Sequence, residues 1–171
     1  MNAQNTPPQS FQVNSAEGRA YWGMGILWIM LATAEDTDGQ YSCIEQLLPH
    51  GPAAPPHIHE AADETFYILE GEATFFVEDQ PIKATAGSFV SIPRGTKHAF
   101  QIDSETARLL NTYVPAGFEY TIMATTVPAQ TRTLPPASIP FPDSEQANRA
   151  LEQVTQQYPA AKTNFLEGFA R

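Results

Sequence analysis

Histidine and glutamate side chains occur at spacings that could form a metal site. The sequence has four histidines. Three of them, His57, His59 and His98, stand near glycine and proline turn signals, and Glu64 follows five residues after His59. Imidazole nitrogens and a carboxylate oxygen suit Fe, Mn, Co, Ni or Zn. A set of three histidines and one glutamate would leave one or two coordination positions open for a substrate.

Strand geometry predicts how these ligands could meet. Side chains alternate between the two faces of a strand, so His57 and His59 point to the same side. Glu64 has the opposite parity, and the polar stretch 60–63 is expected to form a bend before it. If the strand that carries the two histidines lies beside strand 98–102, three imidazoles and one carboxylate converge on one point.

Short strands separated by turn residues account for most of the chain. Residues 36–39, with an Asp-Gly pair, predict a turn, and the proline-rich stretch 49–56 predicts an extended loop. Several short strands at regular spacing are typical of a sandwich or barrel. The predicted strands are 21–34, 40–48, 65–69, 72–77, 82–85, 88–92, 98–102, 108–114 and 119–126.

The C-terminal part of the chain has a different pattern. Five prolines fall within residues 128–142, which predicts an extended strap over the surface. Asp143 is a candidate N-cap for an amphipathic helix that ends before Pro159, and its apolar stripe comprises Ala147, Leu151, Val154 and Tyr158. The predicted organisation is an N-terminal segment (1–20), a barrel (21–127), and a strap with a helix (128–171).

Two blocks of the sequence resemble the conserved motifs of the cupin superfamily. Fifteen residues (72–86) separate the blocks, a short spacing similar to that of bacterial members, and Ile102 stands where the family often has asparagine. The matching residues are Gly51, His57, His59, Glu64 and Gly71 in the first block, and Gly87, Pro93, Gly95 and His98 in the second. The resemblance implies an all-β, double-stranded β-helix (a jelly-roll barrel) with a C-terminal amphipathic helix.

The resemblance also implies a metal cofactor and a chemistry. It implies one divalent transition metal ion (Fe, Mn, Ni, Co or Zn) per chain, bound by His57, His59, Glu64 and His98. Segments 35–39, 56–59, 64–71 and 114–119 are similar to bacterial cupins often labelled quercetin 2,3-dioxygenase-like. This similarity implies a dioxygenase that acts with O₂ on a flavonol-like or other enol substrate. In such enzymes the glutamate equivalent to Glu64 is thought to take the substrate's hydroxyl proton.

Two other functions fit the same four residues. The first is a metal-dependent isomerase, lyase or decarboxylase of a small acid, which would stabilise an enediolate without O₂. The second is a cupin that binds a small molecule without catalysis. Most aromatic residues are expected in the core, but some should line a substrate pocket near the metal, and the candidates are Trp28, Phe66, Phe100, Ile102 and Tyr113. His50 lies outside the motif and is expected at the surface.

Composition excludes several classes of partner. The 171 residues include 19 acidic and 9 basic side chains, for a formal net charge of −10, and no basic cluster. Binding to nucleic acid or to an anionic membrane is therefore not expected. A single cysteine, Cys43, cannot form an internal disulfide, and the polar N-terminus does not resemble a secretory signal. We expect a cytoplasmic protein that, by family analogy, forms a homodimer through the apolar stretch 21–34.

Overall fold

Strands predominate in the structure, a computed structural model that describes residues 9–78, 80–139 and 144–166. The strands are β1 (Arg19–Gly23), β2 (Ile26–Ala32), β3 (Ser42–His59), β4 (Asp63–Glu70), β5 (Glu72–Val77), β6 (Gln80–Thr85), β7 (Phe89–Ile92), β8 (His98–Val114), β9 (Val127–Pro128) and β10 (Thr163–Phe165). The helices are α1 (Ala34–Thr37), α2 (Phe118–Thr125) and α3 (Ser144–Gln157).

The two longest strands organise the barrel. β3 and β8 pair in antiparallel fashion, from Ser42 opposite Tyr113 to His57 opposite His98. The other edge of β8 pairs with β4 along one half and with β5 along the other. β7 extends the sheet beyond β4, and β6 extends it beyond β5. The predicted all-β jelly-roll barrel with a C-terminal helix is confirmed.

The proline-rich stretch 49–56, which was predicted to be a loop, belongs to strand β3. Its pairing with β8 shifts register between Pro49 and Gly51, between Pro52 and Ala54, and again before His57. Proline lacks a backbone N–H and is tolerated in a sheet at bulges, where no ladder bond is needed. The irregular register therefore accommodates the prolines. The residues predicted as two strands, 98–102 and 108–114, likewise form one strand.

The prediction of a single strand over residues 21–34 is wrong. β1 and β2 form a hairpin, with Met24 and Gly25 in the turn. Both residues have positive φ, at 57° and 76°. A two-residue turn with positive φ at both positions has the twist that a tight hairpin requires. Both sides of β2 are apolar because Ile26, Trp28 and Met30 belong to the main core, whereas Leu27 and Ile29 belong to a second buried cluster.

The predicted strand at 119–126 is a helix. β-branched residues in this segment favour a strand by propensity alone. However, Phe118, Thr121, Ile122 and Thr125 follow the i, i+3, i+4, i+7 spacing of one helix face, and all four line the same cavity. Burial of this face therefore outweighs the strand propensity of the segment.

The strap packs on the outer face of the β1–β2 hairpin. Ala129 and Ile139 pack against a small buried cluster that includes Trp22. The Trp22 indole Nε1 donates a hydrogen bond to the carbonyl oxygen of Thr133 at 2.8 Å. The apolar face for which a homodimer was predicted is thus covered by the same chain. Self-association stays a prediction that light scattering would test.

The predicted C-terminal helix is present as α3, while its predicted N-cap, Asp143, lies outside the described residues. Pro159 begins a short 3-10 turn that leads into β10, and β10 pairs with the end of β3. Within the described ranges, no helix is long and apolar enough to cross a membrane. The division into segments 1–20, 21–127 and 128–171 stays a prediction.

Three aromatic rings form the centre of the core. Phe66 and Phe75 lie 4.8 Å apart between ring centroids, and Phe100 lies 5.2 Å from each. Aromatic rings at these separations gain favourable edge and offset contacts besides their burial. The cluster fixes β4, β5 and β8 against one another at the level of the candidate site.

Candidate metal centre

The four predicted ligands come together at one end of the barrel. His57 and His59 are at the end of β3, His98 begins β8 opposite His57, and Glu64 lies near the start of β4. The chain turns between β3 and β4, which resolves the parity difference between His59 and Glu64. All four side chains are buried, and one candidate ligand atom from each lies within 4.8 Å of the others.

The Nε2 atoms and the carboxylate face one another. His98 Nε2 lies 2.8 Å from Glu64 Oε2, and His59 Nε2 lies 3.3 Å from the same oxygen. His57 Nε2 and His59 Nε2 are 3.2 Å apart. Several lone pairs thus point into one small buried space. Such an arrangement is stabilised when a cation or a proton lies between them.

The outward-facing nitrogens of the imidazoles are held by acceptors. Nδ1 of His57 lies 2.8 Å from the carbonyl oxygen of Pro55, and Nδ1 of His98 lies 3.0 Å from that of Thr96. Because a carbonyl only accepts, each Nδ1 carries the proton and donates it. The Nε2 lone pairs then face the centre, as metal-binding histidines require. The donor set therefore fits a divalent transition metal.

An asparagine that was not predicted orients the glutamate. Asn111 is fully buried, and its Nδ2 donates to Glu64 Oε1 at 3.0 Å. Asn111 Oδ1 accepts a hydrogen bond from Gln46 Nε2, also at 3.0 Å. One signal of this role is present in the sequence, since Asn111 is the lone amide between Leu109 and Tyr113 on an otherwise apolar strand face.

Burial and neighbouring charges perturb the titration of the site. Burial lowers the pKa of His57 to about 4, and the positive charge of His98 acts in the same direction. Burial raises the pKa of Glu64, but the adjacent His59 and His98 outweigh it and hold that pKa well below its usual range. Burial also raises the pKa of Tyr113 far above the ordinary phenol value. His57 is therefore a neutral imidazole at pH 7, which is the form that binds metal.

A cavity with mostly apolar walls is lined by two of the four residues, His57 and Glu64. Its volume is about 70 Å³, which is smaller than the roughly 300–1,000 Å³ of typical small-molecule sites. His57, Glu64 and Gln46 contribute its polar surface near the cluster. The aromatic wall comprises Trp28, Phe100, Tyr113, Phe118 and Phe165, and the helices add Thr121, Ile122, Thr125, Ala147 and Leu151.

Three of the five predicted pocket residues line this cavity, namely Trp28, Phe100 and Tyr113. The other two, Phe66 and Ile102, are buried in the core and do not line it. Ile102 pairs with Ala73 of β5, so the next strand covers it. The lining residues that sequence reasoning missed lie on α2, α3, β10 and β3, with Met24 in the β1–β2 turn. His50 is exposed, as predicted, with its Nδ1 3.2 Å from the carbonyl oxygen of Ser104.

Comparison with known proteins agrees with this geometry. Residues 43–113, from β3 to β8, match the model of the cupin domain. This stretch is a cupin domain. It contains all four candidate ligands, whereas the hairpin, α2, α3 and β10 lie outside it. The predicted resemblance to quercetinase-like cupins is also confirmed.

The relatives include two enzymes named quercetin 2,3-dioxygenase. The one from Bacillus subtilis is 32% identical over 109 residues, which are 64% of this chain and 32% of that protein. The one from Aspergillus japonicus is 32% identical over 78 residues, 42% of this chain and 22% of that protein. The chain thus spans about a third or less of the length of these two relatives.

Solved structures support the cupin fold. A protein described as a predicted oxalate decarboxylase from Thermotoga maritima superposes with a TM-score of 0.57 at 20% identity. The match covers 61% of this chain and 99% of that one. At this level of identity the similarity establishes a shared barrel.

Proposed function

We propose that this cupin binds one divalent transition metal ion and acts as a dioxygenase on a flavonol-like or other enol substrate. The observation that carries the proposal is the convergence of three imidazoles and one carboxylate at the base of an aromatic cavity. The two relatives named quercetin 2,3-dioxygenase support the reaction class. His57, His59, Glu64 and His98 would hold the ion.

A bound divalent metal supplies Lewis acidity, which lowers the pKa of a substrate hydroxyl group. The chain contributes orientation and a proton acceptor. Trp28, Phe100 and Phe165 present ring faces and edges that suit a flat substrate and keep water out of the cavity. Glu64 Oε2 faces the centre and would accept the hydroxyl proton, while Asn111 holds the other carboxylate oxygen in place.

The character of the cavity favours an enol over a small acid. No lysine or arginine is among the described residues that line it, so a carboxylate substrate would lack a cationic partner apart from the metal. The apolar walls instead suit a ligand whose buried surface is mostly apolar. The decarboxylase or isomerase function therefore has less support than the dioxygenase.

Elemental analysis tests the metal site first. We expect close to one equivalent of a transition metal in the purified protein and a large loss in His57→Ala and His98→Ala. His50→Ala is the matched control, because this exposed histidine lies outside the cluster, and it should retain the metal. Equal metal content in all four proteins would contradict the proposal.

Oxygen consumption tests the reaction class. The metal-loaded protein should consume O₂ when flavonols or other enols are added, and Glu64→Gln should retain the metal but lose turnover. Turnover that is unchanged in Glu64→Gln would exclude the glutamate as the proton acceptor. A metal-loaded protein that binds these compounds without consuming O₂ would instead be a non-catalytic binding cupin.

A further inference from the structure

The C-terminal strand contributes to the metal centre from outside the cupin domain. β10 pairs with the end of β3, with Thr163 opposite His59 and Phe165 opposite His57. These contacts join residues more than 100 positions apart in the chain. Residues 163–165 thus lie against two of the candidate ligands.

Thr163 holds the outward-facing nitrogen of His59. Its Oγ1 lies 2.9 Å from His59 Nδ1 and 3.2 Å from the carbonyl oxygen of Ala161. The carbonyl can only accept, so the hydroxyl donates to Ala161 and accepts from the imidazole. His59 is 2% exposed. Without Thr163, its Nδ1–H would be a buried donor that loses this acceptor.

The other two histidines obtain this support from their own strand or turn. His57 donates to Pro55 and His98 donates to Thr96, each two residues before it in the chain. Those two orientations are therefore encoded locally, within the cupin domain. The orientation of His59 depends on a distant segment.

Several contacts make that segment a docked unit. The Leu166 backbone N–H donates to Pro56 O at 2.9 Å, and Lys162 forms an ion pair with Glu60 at 2.6 Å. The Phe165 ring stacks on the His57 imidazole, with 5.6 Å between centroids and 27° between planes. Further back in the segment, α3 covers the cavity with Leu151.

We propose that Thr163 is a positioning residue of the metal centre, so that metal affinity depends on the docking of residues 144–166. This inference rests on the metal site of the proposed function but not on the dioxygenase reaction. By linkage, a metal ion that prefers the docked state must also stabilise docking. The segment therefore forms part of the cavity wall and also supports one metal-binding residue, His59.

Metal affinity of the full-length chain tests the role of the hydroxyl. Zn²⁺ is titrated in competition with a chelator into wild type, Thr163→Val, Thr163→Ser and Thr131→Val. Valine preserves the size of the side chain but removes the acceptor, so affinity should fall about 10- to 100-fold, as for other residues that orient metal ligands. Serine restores the hydroxyl and should bind close to wild type. Thr131→Val is the matched control, because it removes an exposed threonine hydroxyl that pairs with Thr133, outside residues 144–166.

Each outcome of this titration bears on the proposal. Wild-type affinity in Thr163→Val would overturn it, and so would a loss that Thr163→Ser does not rescue, since that result indicates a purely structural effect. If wild type binds no Zn²⁺, the metal site and this inference both fail. If wild type binds metal but never consumes O₂, the dioxygenase reaction fails and the inference stands.

Limited proteolysis gives a readout independent of activity. Zn²⁺ should slow cleavage within residues 144–162 of the wild type, and protection should be weaker in Thr163→Val at the same Zn²⁺ concentration. The melting temperature of each protein without metal shows whether the variants are folded. Cleavage of wild type that is equally fast with and without bound Zn²⁺ would overturn the coupling.

Discussion

The buried amide chain from Gln46 through Asn111 to Glu64 provides a quantitative test of the site's architecture. Asn111→Leu replaces the central amide by an apolar side chain of similar size. The change removes the donor to Glu64 Oε1 and the acceptor for Gln46 Nε2. It also removes the hydrogen bond, 3.2 Å long, that Asn111 Nδ2 donates to the carbonyl oxygen of Thr65.

The magnitude follows from burial. A hydrogen bond to a charged group contributes about 1.5–3 kcal/mol, and a buried donor that is left unpaired costs about 1–3 kcal/mol. Leucine regains part of this through burial of its own apolar surface, about 1.5–3 kcal/mol. With about 0.5–1.5 kcal/mol more for the lost hydrogen bond to Thr65, we expect a net loss of about 2–4 kcal/mol. For a chain of this length, that corresponds to a melting temperature lower by roughly 4–16 °C.

Thermal and urea unfolding of the metal-free protein measure this loss. Gln101→Leu is the matched control, because it removes an exposed amide from the same strand and should change stability by about 0.5 kcal/mol or less. The double variant Gln46→Leu/Asn111→Leu also removes Gln46 Nε2, the donor that Asn111→Leu alone leaves without its acceptor. It should be more stable than the sum of the two single losses predicts, by about 0.5–3 kcal/mol.

One result would refute the reasoning. If Asn111→Leu melts within about 2 °C of wild type, a difference of at most about 1 kcal/mol, the amide chain is not a stabilising network. Additive losses in the double variant would show that Gln46 and Asn111 act independently. The contact between them would then have no energetic consequence.

Three further perturbations test other parts of the fold. Phe66→Ala should cost about 3–5 kcal/mol of unfolding free energy in denaturant titrations, because Phe66 is 1% exposed in the aromatic core; a loss below about 1 kcal/mol would contradict that packing. Gly71→Ala should destabilise more than Gly87→Ala: both glycines have positive φ, but only at Gly71 would a new Cβ lie 2.5 Å from a backbone oxygen. Equal melting temperatures would disprove the clash. Hydrogen bonds from Arg94 lower the pKa of Asp63 from 3.8 to about 2, so the pair stabilises the fold above pH 4 and this contribution is lost as pH falls towards 2. The gap in melting temperature between wild type and Asp63→Asn should therefore narrow as pH falls from 4 to 2 and close below pH 2, and a gap that stays constant over this range would contradict the assignment.

The candidate ligands could be predicted because their spacing obeys strand geometry. His57 and His59 share a face by parity, and their convergence with His98 needs only the pairing of two neighbouring strands. The core position of most aromatic residues follows from composition and alternation. These are local rules, or rules that involve a single strand pair, and the sequence expresses them directly.

The errors have physical causes that are not local. The helix α2 was predicted as a strand because its β-branched residues favour a strand. Its helical periodicity is stabilising only because one face of the helix is buried against the cavity, and the sequence does not show that cavity. Ile102 and Phe66 were assigned to the pocket because strand parity gives the face of a residue but not which strand covers it. Thr163 could not be predicted, because a single hydroxyl 104 residues from its partner leaves no pattern in the sequence.

The two tryptophans of this chain lie in separate environments, and this makes them useful optical probes. Trp28 lines the cavity with its Nε1 bonded to Gly23 O, whereas Trp22 lies under the strap with its Nε1 bonded to Thr133 O. Since the sequence contains no others, Trp22→Phe and Trp28→Phe each leave one fluorophore. Emission from Trp28 would then report ligand entry, and emission from Trp22 would report release of the strap. The order of the two events could be followed in real time without an added label.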